Sequence, residues 1–189
     1  MSEKELIPNT VTYNTIMQGL CHASSILEAQ ELFKKMCSSG MLPNLRTYSI
    51  LLDGLCKHGH LEEALKLLES MQERKLEPDI VLYNILIHGM FIAGKLEGLL
   101  KEGLSDEAYK LFRKMEDDGF LPDSCSYNVI IQGFLQNRDA STAIRLIDEM
   151  VGKRFSADSS TFKMLLDLES HDENISQFMR GSSQIRQMK

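Results

Sequence analysis

The sequence predicts an all-α fold, a solenoid of stacked helix-turn-helix units. Three observations predict it. An aromatic triplet returns at a fixed interval: Thr12-Tyr13-Asn14, Thr47-Tyr48-Ser49, Leu82-Tyr83-Asn84, Ser126-Tyr127-Asn128 and Thr161-Phe162-Lys163. The interval is 35 residues at every step but the third, which is 44. Such a period marks arrays in which each unit stacks only on its neighbours. Each unit also carries two apolar stripes of helical spacing, and the breaks between them recur at the same period.

Taken in order, residues 1–9 end in Pro8-Asn9, the close of a unit whose body is missing, and read as the remnant of a truncated repeat. Residues 10–44 form the first whole unit. Tyr13, Ile16, Met17 and Leu20 give its first helix, and Ala29, Leu32, Phe33 and Met36 its second. Residues 45–79 repeat both sets, as Tyr48, Leu51, Leu52, Leu55 and then Ala64, Leu67, Leu68, Met71. Ser24-Ser25 and Gly59 separate the paired helices. Pro43, Pro78 and Pro122 close units, and Asn44, Asp79 and Asp123 after them are good N-caps for the next helix.

Residues 80–123 form an irregular third unit of 44 residues. It holds two versions of one segment, GMFIAGKLE and GLLKEGLSDEA, as if two units had been fused. Either its first helix runs on through residues 95–100 or a nine-residue bulge forms, and Gly94, Gly98 and Gly103 argue against one continuous helix. Residues 124–158 are a regular fourth unit. Residues 159–169 begin a fifth and supply a capping helix, and the polar stretch 170–189 reads as a frayed tail. Gly19, Gly54, Gly89 and Gly133 recur inside the first helices. Glycine costs about 1 kcal/mol there, so close helix contact is the expected return.

Composition is that of an ordinary globular chain: 189 residues, 43% apolar, 25% charged, net charge −6. An anionic molecule binds nucleic acid weakly by charge alone, so any such role rests on local geometry. Cys21 and Cys56 occupy equivalent helical core positions, which favours buried thiols over a disulfide. Cys56, His58 and His60 lack a second ligand pair and read as loop histidines, not a metal site. No apolar run is long enough for a membrane span, and no targeting segment is visible at the N-terminus.

The face that the core leaves free carries short polar side chains after each tyrosine: Asn14, Ser49, Asn84 and Asn128. The last residue of each unit, Asn44, Asp79, Asp123 or Asp158, adjoins the following helix start. Amides and hydroxyls suit base edges better than phosphates. Capping and simple hydration are the alternative roles for these residues.

Units of 35 residues opening with VTYNTIMQGLC (11–21) and continuing with EAQELFKKM (28–36) resemble pentatricopeptide repeats. The even spacing resembles the P-type subfamily, especially fertility-restorer-like proteins of plants, and the likeness spans about residues 8–169. The resemblance implies a right-handed α-solenoid that binds single-stranded RNA, one base per repeat. In that family the residue after the tyrosine and the last residue of the unit read the base. The pairs implied are Asn14 with Asn44 for C, or U less strongly, Ser49 with Asp79 for G, Asn84 with Asp123 for U, and Asn128 with Asp158 for U. The core implied is C-G-U-U, bound weakly because four units are few. Val11, Arg46, Val81 and Cys125 stand at the base-wedging position, and Arg46 departs from its aliphatic pattern. Lys57 and Lys101 stand where the family places a phosphate-contacting lysine, whereas His22 and Gln136 replace it elsewhere.

The resemblance further implies an adaptor without catalysis, without a cofactor, and without DNA or membrane partners. It points to organelle RNA processing, stability or translation, in the mitochondrion ahead of the chloroplast. Two other readings stand beside it: a helical-repeat module that binds protein, and a truncated, inactive copy of a longer RNA-binding array. No nucleophile–base pair, P-loop or zinc-deaminase motif argues for an enzyme.

Overall fold

The computed structural model describes residues 8–97 and 101–181. Among them it has ten helices and no strand: α1 (Thr10–His22), α2 (Ile26–Ser38), α3 (Leu45–Lys57), α4 (Leu61–Glu73), α5 (Ile80–Glu97), α6 (Lys101–Asp117), α7 (Ser124–Gln136), α8 (Ala140–Gly152), α9 (Ser159–Glu169) and α10 (Glu173–Gly181). The fold is an all-α helical-repeat solenoid in class. Its residues fall into two compact units, divided between Ala93 and Gly94 within α5.

In the first unit α1 packs on α2 and α3, and α3 packs on α4. In the second, α7 packs on α6, α8 and α9, and α10 on α8 and α9. The core repeats with the sequence. Ala29, Ala64, Ala108 and Ala143 are fully buried, and so are Met36, Met71, Met115 and Met150. Alanine lets the paired helices approach, and methionine fills the irregular gap one turn pair later. Ile16 departs from its stripe and is exposed.

Each first helix opens on a side-chain cap. Asn9 Oδ1 accepts from the Thr12 amide at 2.9 Å, Asn44 Oδ1 from Thr47 at 3.0 Å and Asp79 Oδ1 from Leu82 at 2.9 Å. Asp123 Oδ1 accepts from Ser126 at 2.9 Å and Asp158 Oδ1 from Thr161 at 2.7 Å. Each cap satisfies one orphan amide and contributes about 1 kcal/mol. The second helices end on a left-handed residue in register: Gly40, Lys75, Gly119 and Arg154.

Two of the recurring glycines have a measurable reason, whereas the close contact expected at Gly19 is not there: nothing lies within 4 Å of a Cβ at that position. A Cβ on Gly54 would lie 2.9 Å from Cys21 Cβ, and one on Gly89 2.7 Å from Cys56 Cβ. First helices of successive repeats thus meet glycine against cysteine. Cys21 and Cys56 are buried free thiols, and burial pushes Cys56 up to about 12. His58 is a turn residue whose Nδ1 contacts Gly54 O at 2.8 Å and whose Nε2 contacts Ser24 Oγ at 2.9 Å.

The 44-residue repeat is accommodated by lengthening, not by a bulge. α5 and α6 have 18 and 17 residues, where the helices of the regular repeats have 13. Gly94 lies inside α5 and Gly103 inside α6. A Cβ on Gly94 would meet Leu104 Cβ at an ordinary 3.7 Å. Neither glycine is used as a breaker.

The frayed tail expected from residue 170 needs correction. α10 occupies Glu173–Gly181, its first turn capped by Asp172 Oδ1, which accepts from Asn174 and Ile175 amides at 2.9 and 3.2 Å. Ile175 is buried. One buried isoleucine and a cap are enough to order a short polar helix against α8 and α9. Residues 182–189 lie outside the described residues.

Charged side chains tie the second helices of the second unit. Arg113 Nη1 and Nη2 donate to Glu149 Oε1 and Oε2 at 2.8 and 2.6 Å, and Lys153 Nζ donates to Glu116 at 2.7 Å. The Tyr127 hydroxyl donates to Glu149 Oε1 at 2.6 Å, and the Tyr109 hydroxyl accepts from Arg113. The bidentate geometry is the strong form of an ion pair. The equivalent Tyr48 hydroxyl is fully buried and has no partner. Tyr48→Phe removes an orphan and is expected to raise the thermal midpoint slightly, whereas Tyr127→Phe is expected to lower it, at a cost of about 1 kcal/mol in stability. A calorimetric comparison of the two variants checks this.

Candidate nucleic-acid interface

The candidate face is built where each first helix meets the cap of the next. Val11, Asn14, Asn44 and Arg46 come together with Thr10, Thr15 and Gln18 around a recess of about 400 Å³. A second recess, of about 330 Å³, is bordered by Arg46, Ser49, Asp53 and Val81, with Gln18 and Cys21 among its other walls. Arg46 therefore lines both. Val11 and Val81 are 69% and 52% exposed, unusual for valine and in keeping with side chains that wait for a flat partner. Asp79 is outside the second recess but caps α5 beside it.

The residues after the tyrosine are not free surface groups. Asn14 is 6% exposed and Asn128 4%. Asn14 Oδ1 accepts from the Thr47 hydroxyl at 2.8 Å, and Asn128 Oδ1 from the Thr161 hydroxyl at 2.7 Å. Each bond joins one repeat to the next. Ser49 instead donates its hydroxyl proton to Leu45 O at 2.9 Å, within its own helix. Asn84 belongs to the first compact unit, with a buried Oδ1 that has no hydrogen-bond partner. Asp123, paired with it in sequence, belongs to the second unit.

Capping and base reading do not exclude each other. Asn44 Oδ1 accepts from the Thr47 amide, which leaves its Nδ2 as a donor. Asp79 and Asp158 each spend Oδ1 on a backbone amide and keep Oδ2 as an acceptor. Gln132 Nε2 braces Asp158 at 3.1 and 3.3 Å. Cys125 is exposed; partial burial and the carboxylates of Asp123 and Asp158 raise its pKa, so it stands there as a neutral thiol.

Lys57 is not a free cation. Its Nζ lies 2.7 Å from Asp53 Oδ2, four residues earlier on α3. A phosphate at this position competes with Asp53. Burial holds His88 below the ordinary imidazole range, so it adds no charge at neutral pH. The side chain of Lys101 lies outside the described residues. Among the described residues no group of His, Cys, Asp and Glu is arranged to hold a metal, and no helix is long and apolar enough to cross a membrane.

Sequence reasoning missed Thr47 and Thr161. Their signal was the residue before each aromatic, read only as part of the repeat signature. It also missed the pairing of Arg113 with Glu149, 36 residues apart and so almost one repeat.

Solved structures share this fold. The pentatricopeptide repeat protein PPR10 in complex with an 18-nt psaJ RNA element matches with a TM-score of 0.77 at 24% identity, over 97% of this chain and 26% of that one. PPR10 from maize matches at 0.73 and 24%, over 96% and 25%. The PPR domain of Arabidopsis thaliana protein-only RNase P 1 in complex with tRNA matches at 0.61 and 15%, over 88% and 83%. The chain thus spans about a quarter of the length of the PPR10 protein it matches. No curated protein matches it in sequence. The PPR repeat family matches at residues 8–57, 51–92, 96–135 and 122–168, most of the chain, and to that family the chain belongs.

Proposed function

We propose that the chain binds single-stranded RNA, one base per repeat, without chemistry of its own, and that its preferred core is C-G-U-U. The observation that carries this is the donor and acceptor set left over at each pair. Asn14 and Asn44 have their oxygens occupied and offer N–H donors, which complement the adjacent N3 and O2 acceptors of cytosine. Ser49 has spent its proton and Asp79 is a carboxylate, so the pair offers acceptors, which complement the N1–H and N2–H groups of guanine. Asn128 and Asp158 offer one donor and one acceptor, the complement of O4 and N3–H in uracil. Recognition of Watson–Crick edges on unstacked bases is how proteins read single-stranded RNA. Asn84 and Asp123 carry the same residue types as the fourth pair and take uracil on that ground.

Val11, Val81 and Cys125 flank these pairs as apolar wedges, and Arg46 contributes a guanidinium plane for stacking. Stacking supplies about 1–3 kcal/mol per base, and part of it is offset by ordering the strand. Four bases therefore give weak binding. Lys57 and Lys101 are the proposed phosphate contacts, the first in exchange for Asp53. PPR10 in complex with an 18-nt RNA and the RNase P 1 PPR domain in complex with tRNA support RNA as the class of ligand. The proposed setting is organelle RNA processing, stability or translation, in the mitochondrion.

Gel-shift titration of the full chain with C-G-U-U oligomers and scrambled controls tests the assignment. Tighter binding of C-G-U-U is the expected outcome. Equal binding of both would refute it.

A further inference from the structure

We infer that Thr161, and Thr47 in register with it, are positioning residues of the reading face: each buried hydroxyl holds the amide of the asparagine one repeat earlier with its oxygen turned inward. The asparagine is then left with N–H groups alone to offer a base. The inference rests on the base-reading function proposed above and adds the residues that set its polarity.

The fourth repeat carries the argument most fully. Asn128 Oδ1 accepts from the Asp158 backbone N–H at 2.9 Å as well as from Thr161 Oγ1 at 2.7 Å. A backbone N–H only donates, so the side-chain atom facing it is the oxygen, which fixes the orientation of the amide. Gln132 Nε2 donates to Thr161 Oγ1 at 2.9 Å, and this directs the hydroxyl proton toward Asn128. Both lone pairs of Asn128 Oδ1 are then in use. Its Nδ2 donates once at 2.7 Å to Ser124 O, while its remaining approaches, to Ser124 Oγ and Ser156 O, are long at 3.4 and 3.5 Å. One N–H is thus weakly held and available.

The first repeat has the hydroxyl contact without the backbone one: the Asn44 N–H donates to Thr47 Oγ1 and not to Asn14, and the one Thr47 hydroxyl proton faces two oxygens. Thr47 is fully buried, and its hydroxyl lies 2.8 Å from Asn14 Oδ1 and 2.9 Å from Asn44 Oδ1. It thereby touches both members of one reading pair. Within each compact unit the hydroxyl goes with an asparagine: Thr47 bonds Asn14 and Thr161 bonds Asn128. Ser49 bonds its own helix, and the next repeat has Leu82 in place of the hydroxyl. Ser126 follows Asn84 in the sequence but spends its hydroxyl on Asp123 Oδ1, and Asn84 Oδ1 has no partner, so the device is confined to the first and fourth repeats.

Without it, the Asn128 oxygen keeps only the Asp158 N–H, and the share of rotated amide that presents an acceptor rises. Discrimination between uracil and guanine at the fourth base then falls. The test uses the full chain with Thr161→Val and Thr161→Ser, titrated with C-G-U-U and C-G-U-G. Thr161→Val is expected to cut the uracil preference roughly fivefold to tenfold, and Thr161→Ser to keep it. In RNA-free protein, the Asn128 side-chain ¹⁵N–¹H pair is expected to move in Thr161→Val and stay in Thr161→Ser. A Thr161→Val protein with wild-type preference and a wild-type amide pair overturns the inference. If the wild type itself does not discriminate at the fourth base, the base-reading proposal fails instead, and the amide pair alone still decides the positioning role. Should Thr161→Val not fold, Thr47→Val, read at the first base and at the Asn14 amide, decides in the same way.

Discussion

Gly89→Ala is expected to destabilise the protein by about 1–3 kcal/mol, the usual cost of overpacking a tight core, with a matching fall in the urea midpoint. The sign is informative because helix propensity pulls the other way. In an open helix the same change gains about 1 kcal/mol. At Gly89 the new methyl would meet Cys56, at 2.7 Å from its Cβ and closer still to its sulfur. The Cβ is part of the helix framework, so a rotamer change cannot relieve the clash and α3 and α5 must separate. Gly54→Ala repeats the experiment against Cys21. Gly19→Ala is the control: nothing lies within 4 Å of a Cβ there, and that variant is expected to be more stable than the wild type. Equal effects at Gly19 and Gly89 would show that propensity, not packing, fixed the glycines.

Glu149→Gln is the second large effect. The Arg113 guanidinium, with the Tyr127 hydroxyl, holds the Glu149 carboxyl at about 2, below its ordinary 4.5. A carboxyl depressed in the folded state stabilises the fold above its unfolded value and ceases to do so as pH falls through the folded one. The contribution is therefore complete above about pH 5 and disappears between there and about pH 2. Glu149→Gln is expected to cost about 1–3 kcal/mol at neutral pH. It should also flatten the acid limb, so that the two proteins converge near pH 2. Chemical denaturation at a series of pH values measures the difference, and a pH-independent gap would show that the pair contributes packing rather than charge.

Much of the fold was legible because it is written several times over. The helix pairs follow from stripes in register, and their starts from Asn44, Asp79 and Asp123, whose caps need only local geometry. What failed to show was long-range or singular. The two long helices of the third repeat were hidden because α5 is apolar on every side, which removes the periodic contrast that marks a helix end, and because Gly94 looked like a breaker. α10 was hidden because Ile175 is its one buried residue and its support comes from α8 and α9. The repeat register gave the positions after each tyrosine, but not the burial of Asn14 and Asn128, since their bonds reach 33 residues along the chain. No local pattern announces such a bond.

Arg46 has a consequence for how information is stored along the groove. Its side chain is a party wall between two neighbouring compartments. An occupant that draws the guanidinium to one side reshapes the other. On the proposed reading the first two bases are then spelled jointly, as a dinucleotide, and the free energies of changing them one at a time will not sum.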